Sequence, residues 1–245
     1  MKKILISVAL FLTISLQAET IKANYQVDFG IIGEIGIAEA TLTKDEKSYV
    51  IDVELKATGI AKSLSGGRTE RHISKGHIEN GMMISDLYQV IKSHGSKTTN
   101  KIYRIDHVNK KVTKTYKRWK NGKVDSDRNE TLDFYSKDDL LTLYFNLNHK
   151  IEDKTTSKSY TFKAVGAEKQ NGKAEIFIPK KDNVDEYKEM LGKNDDSWYA
   201  RAIIHQDIFS SDKGELLLRI GNDGITEKAV LKDLIFFGDI RAKRI

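Results

Sequence analysis

YQVDFGIIGEIGIAEATL, residues Tyr25–Leu42, decides the fold of this chain. Tyr25, Val27 and Phe29 alternate with polar neighbours, as in a strand that buries one face. Glycines then recur at Gly30, Gly33 and Gly36, and the apolar set changes phase to Ala38, Ala40 and Leu42. A phase change inside a ribbon requires a bulge or a turn, and glycine permits either. The stretch that follows, SYVIDVELKATG, alternates without a break through Tyr49, Ile51, Val53, Leu55 and Ala57. These segments are expected to pair and to start a curved antiparallel sheet.

Downstream, short alternating runs are punctuated by turn dipeptides. Asn80-Gly81 separates HISKGHI from MMISDLYQV, and Asn121-Gly122 closes a pair of long strands joined near Asn109. Such Asn-Gly pairs favour two-residue hairpins, so a meander is expected. At Ser136 the period changes. SKDDLLTLYFNLNHKI starts with Ser136 as N-cap and Asp139 three residues on, and then crowds apolar residues from Leu140 to Leu147. This predicts a buried helix over about 136–148. A hairpin around Asn171-Gly172, a short helix over about 184–191 and three closing strands (SWYARAIIHQDIF, GELLLRIGNDG and AVLKDLIFFGDI) complete the chain. The expected fold is mainly β, a curved antiparallel sheet or partly open β-barrel with a helix against it.

The first eighteen residues stand apart. Lys2 and Lys3 precede the apolar run ILISVALFL, and LQA ends at the small residue Ala18. This pattern reads as a secretory signal peptide, 1–18, followed by a single β-rich domain, 19–245. No cysteine follows the apolar run, so no lipid anchor is expected, and no later window is apolar enough for a membrane span. The mature chain is therefore expected to be soluble and periplasmic. With no cysteine in 245 residues, disulfides, thiolate metal sites and a cysteine nucleophile are excluded.

The opening Y-x-V-x-F-G pattern resembles an uncharacterised family of exported Gram-negative bacterial proteins, a domain of unknown function. So do TLDFYSKDDLLTLYFNL and the ending LLLRIGNDG…AVLKDLIFFGDIRAKRI. Where that family often carries a proline before a tyrosine, this chain has Ser85 and Asp86. The resemblance implies a periplasmic half-barrel similar to the lipoprotein carriers, with a helix against it. It implies no catalytic residue.

Candidate chemistry is sparse. His72, His77, His94, His107, His149 and His205 form no H-x-x-x-H or H-x-E pair, and on one strand His72 and His77 point to opposite faces, so no metal site is assigned. There is no G-x-S-x-G elbow, and Ser63 and Ser65 lie in what reads as a glycine-rich turn without companions. No cofactor and no enzymatic activity are expected. Residues 101–123 hold nine Lys or Arg against Asp106, and Lys110, Lys111, Lys114, Lys117, Arg118 and Lys120 mark an anionic-surface candidate on a strand pair. Export argues against nucleic acid as its partner and favours an anionic envelope component. Asp127-Arg128-Asn129-Glu130-Thr131 carries an N-x-T acceptor with an acid two residues before Asn129, the extended bacterial N-glycosylation pattern. The principal expectation is an apolar cleft for a lipid or other hydrophobic ligand. Leu140, Leu143, Tyr144 and Leu147 form its helix side, and Tyr25, Val27, Phe29, Ile51 and Val53 its sheet side. The alternative is a scaffold that uses the basic strand pair to meet a partner.

Overall fold

A computed structural model describes residues 18–180, 183–204, 214–232 and 239–245. The expected signal segment, apart from Ala18, lies outside them, as does His205. Among the described residues, fourteen antiparallel strands form one sheet in the order β8-β7-β6-β5-β4-β3-β2-β1-β14-β13-β12-β11-β10-β9. The N-terminal meander runs outward through β1 (Glu19–Phe29), β2 (Gly33–Lys44), β3 (Ser48–Ala57), β4 (Thr69–Glu79), β5 (Met82–His94), β6 (Lys97–Asp106), β7 (Lys111–Lys120) and β8 (Lys123–Thr131). The C-terminal meander runs back through β9 (Lys158–Lys163), β10 (Lys173–Ile178), β11 (Ser197–Ile204), β12 (Gly214–Gly221), β13 (Thr226–Leu231) and β14 (Ile240–Arg244). β14 pairs with β1, so the two arms join at the middle of the sheet. Among the described residues β8 pairs with β7 and β9 with β10, and the sheet stays open between them.

The deciding stretch contains both devices that its phase change requires. A 3-10 turn over Gly30–Ile32 joins β1 to β2. The register then slips, pairing Asp28 with Glu34 but Val27 with Gly36, and so leaves Ile35 over. Beyond the slip, Tyr25 faces Ala38, Ala23 faces Ala40 and Ile21 faces Leu42. β3 continues the same face, with Ile51 opposite Leu42 and Val53 opposite Ala40. The hairpins at Asn80-Gly81, Asn121-Gly122 and Asn171-Gly172 all have positive φ at both turn residues, the geometry that matches strand twist.

Between the arms lies helix α2 (Leu140–Lys150). It begins later than the sequence suggested, because Asp139 rather than Ser136 caps it: the Asp139 carboxylate accepts from the backbone N–H of Leu141 and Thr142. Ser136 instead donates to the Lys163 carbonyl. α2 packs against both arms. Leu141 and Phe145 join Leu42, Tyr49, Ile51 and Met83 on the β2–β5 side. Leu143 and Leu147 join Ile176, Trp198, Ala200 and Leu218 on the β10–β12 side. The helix thus holds the two walls of a trough together. The short helix expected near residue 184 is α3 (Val184–Leu191), whose Tyr187 and Leu191 pack on Tyr199, Leu217 and Val230. AKSLSGG is not wholly a turn: Gly59–Leu64 forms helix α1, with Ser65 at its C-terminal cap.

Candidate functional site

Strand alternation puts Glu70, His72 and Ser74 of β4 on the inner face, with Tyr88, Val90 and Lys92 of β5 and Lys101, Tyr103 and Ile105 of β6. Two cavities lie along that face, beside α2. The larger has a volume of about 670 Å³. Leu140, Leu143, Tyr144 and Leu147 line its helix side, and Ile176, Leu216 and Leu218 its far wall. The smaller, about 330 Å³, is almost wholly apolar. Tyr25, Val27 and Val53 line it, together with Ala38, Ala40 and Phe145. Tyr144, Leu216 and Leu218 line both. Phe29 and Ile51 line neither. Ile51 is completely buried under α2, and Phe29 sits at the strand end, opposite Gly33 and Ile240.

One end of the larger cavity is charged. Glu70 takes a hydrogen bond at 2.6 Å from His72 Nε2 and an ion pair at 2.6 Å from Lys92. Burial raises its carboxyl pKa, but these donors outweigh burial and hold it at about 2. His72 Nδ1 lies 2.7 Å from the Tyr88 hydroxyl. Burial pushes the Tyr88 phenol well above its ordinary range, so this Glu-His-Tyr chain joins an ionised carboxylate to a phenol held protonated. Glu168 accepts from the Tyr103 hydroxyl and from Lys114. Lys101 is paired more loosely than Lys92 and Lys114: its ammonium forms an ion pair with Glu168 Oε1 at 3.8 Å, longer than a hydrogen bond. Burial holds the Lys101 ammonium below its ordinary pKa range, against the attraction of Glu168.

The roof of the site is latched from beneath. Asp139 is fully buried, and its second oxygen accepts from Ser74 at 2.5 Å, Ser85 at 2.6 Å and Thr142 at 3.1 Å. Tyr49 adds its hydroxyl, 2.7 Å from Thr142. Desolvation raises the Asp139 carboxyl pKa, and the donors pull it partly back. Asn146 completes the attachment, donating to the Met83 carbonyl and accepting from the Met83 N–H. The sequence placed Asp139 three residues into a helix capped by Ser136, so its role as the cap was not visible. Nor were its partners on β4 and β5, because strand register brings them within reach.

The basic strand candidate divides. Lys114 is not on the surface: its side chain is 11% exposed, since it shares the inward parity of buried Val112, and it lies between Glu130 and Glu168. Lys117 pairs with Asp127 and Arg118 with Asp125, both acids of the neighbouring β8. Lys110, Lys111 and Lys120 are exposed. Asn129 is exposed on β8, where its carbonyl accepts from Thr115.

One constellation escaped the sequence reading, which assigned no metal site. His77, Asp86 and His107 converge on the outer face, and their ligand atoms lie within 4.8 Å of one another. Strand alternation alone would have turned Asp86 inward. A bulge turns it out: Lys75 pairs with Leu87 and Gly76 with Ser85, leaving Asp86 over.

Among the described residues, no helix is long and apolar enough to cross a membrane. No curated protein matches the chain. Among solved structures, it is similar to the β-barrel-like protein of domain of unknown function DUF1849 from Brucella abortus. The two are 11% identical, with 91% of this chain and 95% of that one covered and a TM-score of 0.49. A family model described as a protein of unknown function, DUF3108, matches residues 24–178. The match ends with β10, so the closing strands, whose sequence entered the resemblance above, lie beyond it. Its span takes in the whole N-terminal arm from within β1, helix α2 and the first hairpin of the returning arm, and the chain belongs to the DUF3108 family.

Proposed function

We propose that this protein is a non-enzymatic binder of an amphipathic, anionic lipid in the periplasm of a Gram-negative bacterium, exported by the leader at residues 1–18. The apolar chain occupies the trough beside α2, and the acidic head lies at Lys101. The observation that carries the reading is the placement of a partly desolvated ammonium at the charged end of a cavity whose helix side and far wall are largely apolar. A cavity of about 670 Å³ lies within the roughly 300–1,000 Å³ of small-molecule sites, and apolar walls with a few placed polar groups are their usual chemistry. A desolvated cation gains more from an anionic partner than one in water does. The Glu70–His72–Tyr88 chain favours binding over catalysis, because its phenol is held protonated and its carboxylate already carries two donors.

The runner-up, a scaffold docking through its basic strand pair, is disfavoured by the acids that β8 sets against Lys114, Lys117 and Arg118. Exposed Asn129 suits glycan attachment in a host with the transfer machinery, and Asn129→Gln would remove that mass.

Displacement of a fluorescent fatty acid by unlabelled ligands tests the reading. Lys101→Glu should weaken binding of a long-chain fatty acid about tenfold or more and leave that of the corresponding fatty alcohol unchanged. Equal loss of both, or of neither, would overturn the role given to Lys101. Absence of binding by the unaltered protein would overturn the lipid reading itself.

A further inference from the structure

We infer that His77, Asp86 and His107 form a binding site for a divalent first-row transition metal, with zinc the principal candidate. The three residues come from separate places in the chain: His77 from β4, Asp86 from the β5 bulge and His107 from the turn after β6. His77 Nδ1 lies 3.0 Å and 3.1 Å from the two Asp86 oxygens, and His107 Nε2 lies 3.1 Å from Asp86 Oδ1. The two imidazoles meet edge to face, with ring centroids 5.5 Å apart.

Tetrahedral zinc, with bonds of about 2.0–2.2 Å to nitrogen and oxygen, sets its ligands about 3.3 Å apart. The spacings between the histidine nitrogens and the Asp86 carboxylate lie within a few tenths of an ångström of that value. Two imidazoles and one carboxylate suit zinc, iron, nickel or copper, whereas calcium and magnesium take oxygen ligands. The side chains of His77 and Asp86 are 43% and 48% exposed, so an ion enters from solvent and keeps water at its remaining positions.

The surroundings fit a ligand set that is held in place. His107 Nδ1 lies 2.9 Å from the Tyr135 hydroxyl, and its Nε2 also lies 3.0 Å from the Ser85 carbonyl oxygen. A hydroxyl can donate or accept. With Nε2–H directed at Ser85, Tyr135 donates to Nδ1. With Nε2 on a metal, Nδ1–H donates to Tyr135, which fixes the ring in its ligating tautomer. The bulge opposite Gly76 holds Asp86 outward, and the same bulge sends neighbouring Ser85 inward to Asp139. Three ligands from three segments would clamp the β4–β5 hairpin to the β6–β7 turn.

Cobalt(II) titration of the untagged full chain, followed by zinc competition, tests the site. The expected result is one cobalt per chain, with visible absorption that zinc abolishes and a tenfold molar excess of magnesium or calcium does not. The double variant His77→Gln/His107→Gln should lose at least 100-fold in affinity while keeping the circular dichroism of the unaltered protein. Tyr135→Phe, which retains every ligand, should weaken binding about tenfold through the lost orientation of His107. His94→Gln, at an exposed position outside the cluster, should bind as the unaltered protein does. Absence of the cobalt spectrum, or a spectrum that survives the double variant, would overturn the site. Equal competition by magnesium would overturn the choice of metal.

Discussion

Asp139 does two jobs with one carboxylate. One oxygen caps α2, and the other gathers three hydroxyls from β4, β5 and the helix itself. Asp139→Ala removes the cap and strands three buried hydroxyls, so chemical denaturation should show a loss of about 3–5 kcal/mol. Asp139→Asn keeps an oxygen for the cap and forfeits only the acceptor for the hydroxyls, and should cost about 1–2 kcal/mol. Glu70 sets an acid limb in the stability curve. Its folded pKa, about 2, lies below the ordinary carboxylate value, so its contribution is fully present above that value and is lost as pH falls through the folded pKa. Between about pH 4.5 and pH 2, stability should fall by on the order of 2 kcal/mol from this group alone, after allowance for its partial exposure. Glu70→Gln should flatten that limb in urea titrations at stepped pH. Asp139 has the opposite sign: its folded pKa is raised, so its protonation favours the fold, and that gain is lost as pH rises through the folded pKa.

At the scale of elements, the β4–β5 hairpin organises both faces of the molecule. Its turn was readable from Asn80-Gly81, since few other dipeptides accept positive φ twice in succession. Its bulge was not. The sequence shows only Gly76 among polar neighbours, and the reason for that glycine lies across the ladder. A Cβ at Gly76 would fall 1.8 Å from the Ile84 carbonyl oxygen and 2.9 Å from the Tyr49 ring. Gly76→Ala should therefore force the strands apart, cost about 2–3 kcal/mol in thermal or urea unfolding, and misplace Ser85 and Asp86 together. Helix α2 was readable from its crowded apolar residues but not its start: Ser136 has the side chain of a cap, yet it donates to the Lys163 carbonyl and leaves the capping to Asp139. The inner charged belt was hidden for a simpler reason. Lys101 and Lys114 sit in a basic run that looks solvated, and only the parity shared with buried Tyr103 and Val112 turns them inward.

The whole molecule is a trough whose halves meet at β1 and β14 and are tied again by α2. Its outer edge β8 is exposed along most of its length and carries Lys123, Asp125, Asp127, Arg128 and Glu130, a composition that discourages pairing with another chain. Because the sheet stays open, its inner face is available to a ligand, and the helix fills only part of it. The apolar alternation that predicted the sheet side of the cleft served equally for core packing, so the sequence could not separate Val53, which lines a cavity, from Ile51, which does not. That separation depends on where α2 comes to rest. In the function proposed above, the remaining space holds a lipid. Native mass spectrometry of the protein, purified without detergent or denaturant from the cells that make it and then extracted with organic solvent, tests it most directly. A stoichiometric adduct that releases an acidic lipid into the extract is the predicted result. A chain at its bare mass, with no lipid in the extract, would contradict it.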